Sequence, residues 1–276
     1  MPADGRPAER RRGTTGDVVS ELEGRIALVT GVGAGMGRAI AAAYIEAGAT
    51  VVGADIDATA GAAVMDQLGE RASFVVGDVA KVAECEGLVA NVVAAHGRID
   101  TLVNNAGVTK SLSFFDVSEA DWDRIYAVNA RGLFFLMQAA ARAMRDHGGG
   151  GRIVNIASIA GKGYRGTSNV AYAGTKGAVI AMTRISAAQL ARHDINVNAI
   201  CPGVTRTSLF DQVIDELVER LGGTRAEAEA RAVRSIPLRR ANEPEDIAAL
   251  AVYLASPAAR NVTGQSWNVD GGLHWD

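Results

Sequence analysis

Seven short runs rich in Val, Ile and Leu, most of them separated by longer Ala-rich stretches of helical period, constrain this chain more than any other feature. The runs lie at 26–30, 50–54, 73–76, 101–104, 152–156, 196–200 and 266–269; the helical stretches lie at 37–47, 58–68, 82–96, 119–145, 172–192 and 244–255. Strands that are apolar at nearly every position are buried on both faces, and helices between them supply the two covers. Right-handed crossovers then predict an α/β fold: one doubly wound, seven-stranded parallel sheet with helices on both faces. No linker interrupts the pattern, so a single domain is expected over 24–276.

Two stretches depart from the rhythm. Residues 1–23 are polar, carry Arg10-Arg11-Arg12 and show no apolar period. They read as a disordered leader, because an export signal needs an apolar stretch after its arginines. Residues 207–235 are a polar, helix-prone insertion beyond the sixth run, where a substrate lid would lie. Charge excludes a further class: 28 Lys+Arg against 31 Asp+Glu leave a net −3, without the basic excess of a nucleic-acid binder. No run approaches the ~18 apolar residues of a membrane span. Cys85 and Cys201 are too few for a disulfide framework or a zinc site, and the scattered histidines suggest no metal. The expected partner is a small molecule, neither nucleic acid nor membrane, and the expected location is the cytoplasm.

Glycine, 32 of 276 residues, concentrates where chemistry is legible. The first run leads into Thr30-Gly31-Val32-Gly33-Ala34-Gly35-Met36-Gly37 and then a helical stretch. Glycines here bring the backbone close to a pyrophosphate, with the helix N–H groups and dipole behind it. Gly31, Gly35, Met36 and Gly37 are the expected contacts. An acid about 20 residues further on should take the adenosine ribose hydroxyls. Asp55 stands 18 residues after Gly37, at the end of the second run. Its charge repels a 2′-phosphate, and no Lys or Arg lies inside the glycine turn to offset it, so NAD is favoured over NADP. Asp57 competes for that role but better suits capping the next helix. Asp78 and Val79, after the third run, are expected near the adenine, although Asp78 equally suits capping its own loop. The text G-x-G-x-x-G is matched elsewhere, at Gly161-Lys162-Gly163-Tyr164-Arg165-Gly166. No helix begins on those glycines and no suitable acid follows, so they read as an active-site loop.

Tyr172 and Lys176 are four apart on a helical stretch and share a face. Bringing a phenol from ~10 to near 7 takes about 4 kcal/mol. One ammonium ~4 Å away supplies roughly that much at an effective dielectric of ~20. Exposed helices often carry such a pair; its company singles this one out. Ser158 puts a hydroxyl at the end of the fifth run, and Asn104-Asn105-Ala106-Gly107 ends the fourth, beside the switch point of such sheets. Asn129 sits inside a helical stretch that asparagine disfavours, as a surface residue or at a water-binding kink.

The glycine turn at 30–37, Asn104 to Gly107, Asn129, Ser158, Tyr172-x-x-x-Lys176 and Pro202-Gly203, in that order, closely resemble the pattern of the short-chain dehydrogenase/reductase family over 24–276. The resemblance implies a Rossmann-type fold with Tyr172 as general base in alcohol oxidation or general acid in carbonyl reduction. Lys176 would lower its pKa and bind the nicotinamide ribose, Ser158 would position the reacting oxygen, and Asn129 would hold a water in the proton relay. It further implies Asn104, Asn105, Ala106 and Gly107 along the cofactor channel, with Pro202, Gly203, Val204 and Thr207 at the nicotinamide and its phosphates. Ser158 and Tyr172 are 14 apart, one more than is usual in the family, so an extra residue near 165–168 should reshape the substrate pocket. In many relatives the helices corresponding to 119–145 and 172–192 form a subunit interface, so a homotetramer is expected. The implied activity is NAD-dependent oxidation of a secondary alcohol, whether a polyol, a sugar or an alicyclic alcohol. Two alternatives stay open. One is reduction of a 3-oxoacyl group on acyl carrier protein, an acidic partner that would want a basic surface where this chain has Phe135. The other is an NAD-binding scaffold without turnover.

Overall fold

The computed structural model describes residues 21–166 and 168–275. All seven apolar runs form strands: β1 (Ile26–Thr30), β2 (Thr50–Asp55), β3 (Ala72–Val76), β4 (Thr101–Asn104), β5 (Gly151–Ile156), β6 (Ile195–Pro202) and β7 (Ser266–Val269). Neighbours are parallel throughout, in the order β3-β2-β1-β4-β5-β6-β7. β4 and β6 are buried at every position, as strands covered on both faces must be. Because β1 pairs with β4 on one side and β2 on the other, the winding reverses there, and a crevice opens at the carboxyl edge.

The connecting helices among the described residues are α1 (Gly35–Glu46), α2 (Ala58–Gln67), α3 (Val82–His96), α4 (Glu119–Tyr126), α5 (Leu133–His147), α6 (Val170–Leu190), α7 (Ser208–Leu221), α8 (Arg225–Ala232) and α9 (Pro244–Ala255). Ile40 and Tyr44 of α1, Met65 of α2 and Leu254 of α9 pack with Val29 and Val51 in one core. Leu88 and Val92 of α3 and Leu136 and Met144 of α5 pack with Leu28, Leu102 and Ile153 in the other.

Two expectations need correction. Leu22, inside the stretch read as a leader, is only 1% exposed, belongs to the first core and donates its N–H to the Ala47 carbonyl at 2.8 Å. An apolar anchor there fixes how the chain enters β1, so residues 21–23 are part of the fold. The remainder of the expected leader, 1–20, lies outside the described residues. The single helix expected over 119–145 is in fact α4 and α5 joined by a π-helical turn, Ala127–Gly132, with Asn129 buried inside it. The wider turn puts the Asn129 side chain against the main chain of Val108, where it accepts from the N–H and donates to the carbonyl, both at 2.8 Å.

The insertion at 207–235 folds largely into α7 and α8. Phe210, Ile214 and Ala228 bury their apolar sides together with Ala241. Arg225 ties the pair from outside through Asp211, Asp215 and Glu229.

The sheet also buries amides. Asn104 on β4 donates to Asn155 Oδ1 on β5 at 2.9 Å, and Asn155 Nδ2 donates to Thr183 Oγ1 on α6 at 3.0 Å. Asn104, expected along the cofactor channel, instead locks two strands together. Asn155→Ala strands both partners, and each unsatisfied buried polar group costs ~1–3 kcal/mol, so urea unfolding should show a loss of roughly 2–4 kcal/mol. Adding Asn104→Val to that variant should recover part of it, because one of the stranded groups is then gone.

Candidate active site

The turn after β1 is built for an anion. Helix α1 starts at Gly35 behind Ala34, with no side-chain cap and no acid in its first turn. Its first N–H groups are left to a ligand and its positive end is uncompensated. A Cβ on Gly37 would stand 1.9 Å from the Gly31 carbonyl oxygen, so only glycine lets the helix begin so close to the strand. Asp55 closes β2 with both oxygens engaged: Oδ2 accepts from Gly33 N and Oδ1 from Asp57 N, each at 2.9 Å. A carboxylate oxygen can accept a second hydrogen bond, so the group is oriented and still able to take two hydroxyls. Asp57 caps α2, accepting from Thr59 N and Ala60 N at 3.0 Å.

The far side of the crevice is braced by β4. The Thr30 hydroxyl accepts from Asn105 N and Ala106 N at 3.1 Å, and Asn105 Nδ2 donates to the Thr30 and Gly31 carbonyls at 2.9 and 3.1 Å. Asn105 therefore serves the main chain of the glycine turn, while its Oδ1 is buried without a partner. The Asp78 carboxylate accepts from Ala80 N at 2.9 Å and lies 3.8 Å from Lys81, which is the loop-capping role. Val79 is buried, with its carbonyl against Gly132, where a Cβ would come within 2.1 Å. Met36, Pro202, Gly203, Val204 and Thr207 line one cavity of about 590 Å³ together with Ser158 and Tyr172. An uncapped helix end, a turn that excludes side chains and an oriented carboxylate at the end of β2 together fit a dinucleotide.

The groups expected to do chemistry do meet. Ser158 follows β5, Tyr172 and Lys176 are on α6, and the Ser158 and Tyr172 side chains line one cavity. Burial pushes the phenol above its ordinary value, and its interaction with the Ser158 hydroxyl only partly offsets this. Lys176 is 4% exposed; its ammonium donates to the Ile156 carbonyl at 2.7 Å and lies 5.6 Å from the centre of the Tyr172 ring. Burial pulls its pKa down to about 8. Burial is thus the larger influence on both groups, and the Lys176 ammonium is held by a hydrogen bond to a strand carbonyl. A Cβ on Gly107 would be 3.4 Å from Asn129 Oδ1 and 3.6 Å from Lys176 Nζ, so the loop after β4 reaches the same spot. Both ends of the Asn129 amide are engaged with Val108, so the side chain is an anchor for that loop.

Several contributors carry no signal that was read from the sequence. Gly161, set aside as a false nucleotide motif, would put a Cβ 2.4 Å from the Lys176 main-chain carbon, so α6 can seat on the turn after β5 only over glycine. Asn169 accepts from Tyr172 N at 2.7 Å and donates to the Lys110 carbonyl at 2.8 Å, capping α6 and tying down the loop after β4. An Asn three residues before a helical tyrosine was a readable cap; the Ile156 carbonyl had no signal at all. Of the extra loop residues expected near 165–168, Thr167 lies outside the described residues.

An edge that can seat a pyrophosphate beside the switch point and exchange a proton a few residues away defines an oxidoreductase of the dinucleotide-binding class. Comparison with known proteins agrees. A family model described as Enoyl-(Acyl carrier protein) reductase matches residues 31–274. Sorbitol dehydrogenase of Cereibacter sphaeroides is 39% identical over 252 residues, 91% of this chain and 98% of that protein. The crystal structure of a short-chain type dehydrogenase/reductase from Mycobacterium marinum superposes with a TM-score of 0.83 at 36% identity, covering 94% of this chain and 98% of that one. The 3-ketoacyl-(acyl-carrier-protein) reductase from Brucella melitensis, solved with NADH, gives a TM-score of 0.82 at 32% identity, covering 91% and 99%. The chain belongs to the short-chain dehydrogenase/reductase family.

The buried lysine makes a pH signature. Between about pH 8 and 10 the unfolded chain holds a proton on Lys176, whose ordinary value is 10.5, that the folded chain has released, so stability rises with pH across that window. The rise is on the order of 2 kcal/mol at most, and near pH 10 the raised Tyr172 phenol begins to act in the opposite sense. Urea unfolding of Lys176→Met at a series of pH values should lack this rise.

Proposed function

We propose that this protein oxidises the secondary hydroxyl of a polyol, sugar or alicyclic alcohol with NAD. The observation that carries the reading is the meeting of Ser158 and Tyr172 in one cavity wall, with the buried ammonium of Lys176 5.6 Å from the Tyr172 ring. The similarity to a sorbitol dehydrogenase supports a polyol or sugar alcohol as the substrate.

The nicotinamide cofactor, when bound along 31–37 and at Asp55, supplies the hydride acceptor. The chain handles the proton. Ser158 Oγ holds the substrate oxygen against Tyr172, whose phenol oxygen takes the hydroxyl proton in oxidation and returns it in reduction. Burial keeps that phenol protonated, so oxidation needs a cationic surrounding, part of which Lys176 supplies. Asn129 holds Val108, and with it Gly107, against Lys176; a relay water would belong to the main chain of the π turn. Asp55 carries the preference for NAD, since its charge repels a 2′-phosphate, and helices α7 and α8 act as the lid. Exposed Ile185 on α6, Tyr253 on α9 and Trp267 on β7 support a homotetramer, here placed in the cytoplasm.

A second reading, 3-oxoacyl reduction on acyl carrier protein, is favoured by the Brucella relative, and the description of the matching family model names the same carrier though a different reduction. Acetoacetyl thioester and polyol substrates compared at equal concentration separate the two.

Two substitutions test the leading reading. Tyr172→Phe should lower kcat ~10²–10⁴-fold, the usual worth of a positioned acid or base, with NAD affinity by fluorescence titration nearly unchanged. Full turnover would show that another group moves the proton. Asp55→Ala should shrink the ratio of kcat/KM for NAD over NADP at least ~10-fold, the effect of about 1.4 kcal/mol. An unaltered ratio would assign the preference to other residues.

A further inference from the structure

The described lining of the cavity beside Ser158 and Tyr172 is uncharged. Among the described residues that line it there is no carboxylate, ammonium, guanidinium or imidazole. Three basic groups close to it in the chain are committed elsewhere. Arg206 pairs with Glu229 and Glu243 at 3.0 and 3.1 Å and lies over the face of Phe210. Lys110 pairs with Asp121 at 3.0 Å, and Lys162 donates to the Ser266 carbonyl at 2.9 Å. A buried carboxylate without a cation is strongly disfavoured, so this wall selects against sugar acids.

Its polarity is also divided by element. Hydroxyls come from the loops after β4 and before α6, where Thr109 and Ser168 are hydrogen-bonded to each other at 2.5 Å and Ser111 stands nearby in the lining. Hydrocarbon comes from α7 and α8, through Phe210, Val213, Leu217 and Ala232. A substrate hydroxyl laid against those four side chains finds no partner among them.

Resting on the dehydrogenase reading above, we propose that the substrate is an uncharged secondary alcohol, or its ketone, with hydroxyls along one edge and an unbroken hydrocarbon flank along the other. A cyclic vicinal diol has that form; an aldonate or a fully hydroxylated open chain does not.

The test uses the full chain with NAD and with NADP, following reduced nicotinamide by absorbance, on vicinal cyclohexanediol, sorbitol and gluconate. The expected order is diol above sorbitol by about 10-fold in kcat/KM, the scale of discrimination an apolar wall can supply, with gluconate at background. Gluconate matching or exceeding the diol would overturn the proposal while leaving the dehydrogenase reading intact, as would sorbitol exceeding the diol. No turnover of any alcohol with either cofactor would sink the dehydrogenase reading and the proposal with it. Val213→Arg, at a half-open position of α7, checks the wall directly: diol oxidation should fall and gluconate oxidation should appear. An unchanged diol-to-gluconate ratio in that variant would show that α7 does not face the substrate. Arg165→Ala guards against a cation reaching in from the neighbouring loop: it should leave the wild-type ratio intact, and a changed gluconate rate would count against an uncharged site.

Discussion

Helix α6 lies so close to the turn after β5 that no side chain fits between them at Gly161, and the site depends on that contact. It puts the Lys176 ammonium within reach of the Ile156 carbonyl at the strand end. It also brings the Tyr172 phenol to the Ser158 hydroxyl, which belongs to the same turn. The lysine stays buried because a main-chain oxygen satisfies it, and its lowered pKa near 8 is the electrostatic cost of that location. A single strand end thus fixes both the Ser158 hydroxyl and the Lys176 ammonium.

Around this contact the molecule divides its polar groups by task. Buried amides join elements: Asn155 links β4, β5 and α6, Asn105 clamps the glycine turn, and Asn129 and Asn169 tie the loop after β4 to the π turn and to α6. Neutral amides suit this work, since they satisfy one another without the desolvation cost of ions. Full charges sit outside, as in the Arg206 and Arg225 ion pairs that hold α7 and α8 together. Exposed pairs of this kind are individually weak, so the apolar cluster of Phe210, Ile214 and Ala228 carries more of the contact between the two helices.

The strands were legible because the central ones are buried on both faces and the more open edge strands β3 and β7 are still rich in apolar residues; six of the seven runs agree with the observed bounds to within one residue at each end, while β6 runs two further to Pro202. Asp57 as a helix cap was legible for a similar reason: the residue type and its offset carry the physics by themselves. The break at Asn129 was only half legible. Poor helix propensity pointed to an irregularity, but the π turn exists because Val108 from another element binds the side chain. Leu22 was placed in the leader, and the packing role of Gly161 within its active-site loop was not visible, for the same cause: their partners Ala47 and Lys176 are distant in sequence.

The sequence by itself determined the doubly wound sheet, the glycine turn, the carboxylate at the end of β2 and the Ser158, Tyr172 and Lys176 set, because periodicity and short-range spacing encode each of them. Tertiary structure decided what those groups experience: a phenol raised by burial, a lysine satisfied by a strand carbonyl, amides committed to bracing and a cavity whose described lining carries no charge. Burial and hydrogen-bond partnership are properties of elements brought together across the fold, and no local stretch of chain contains them.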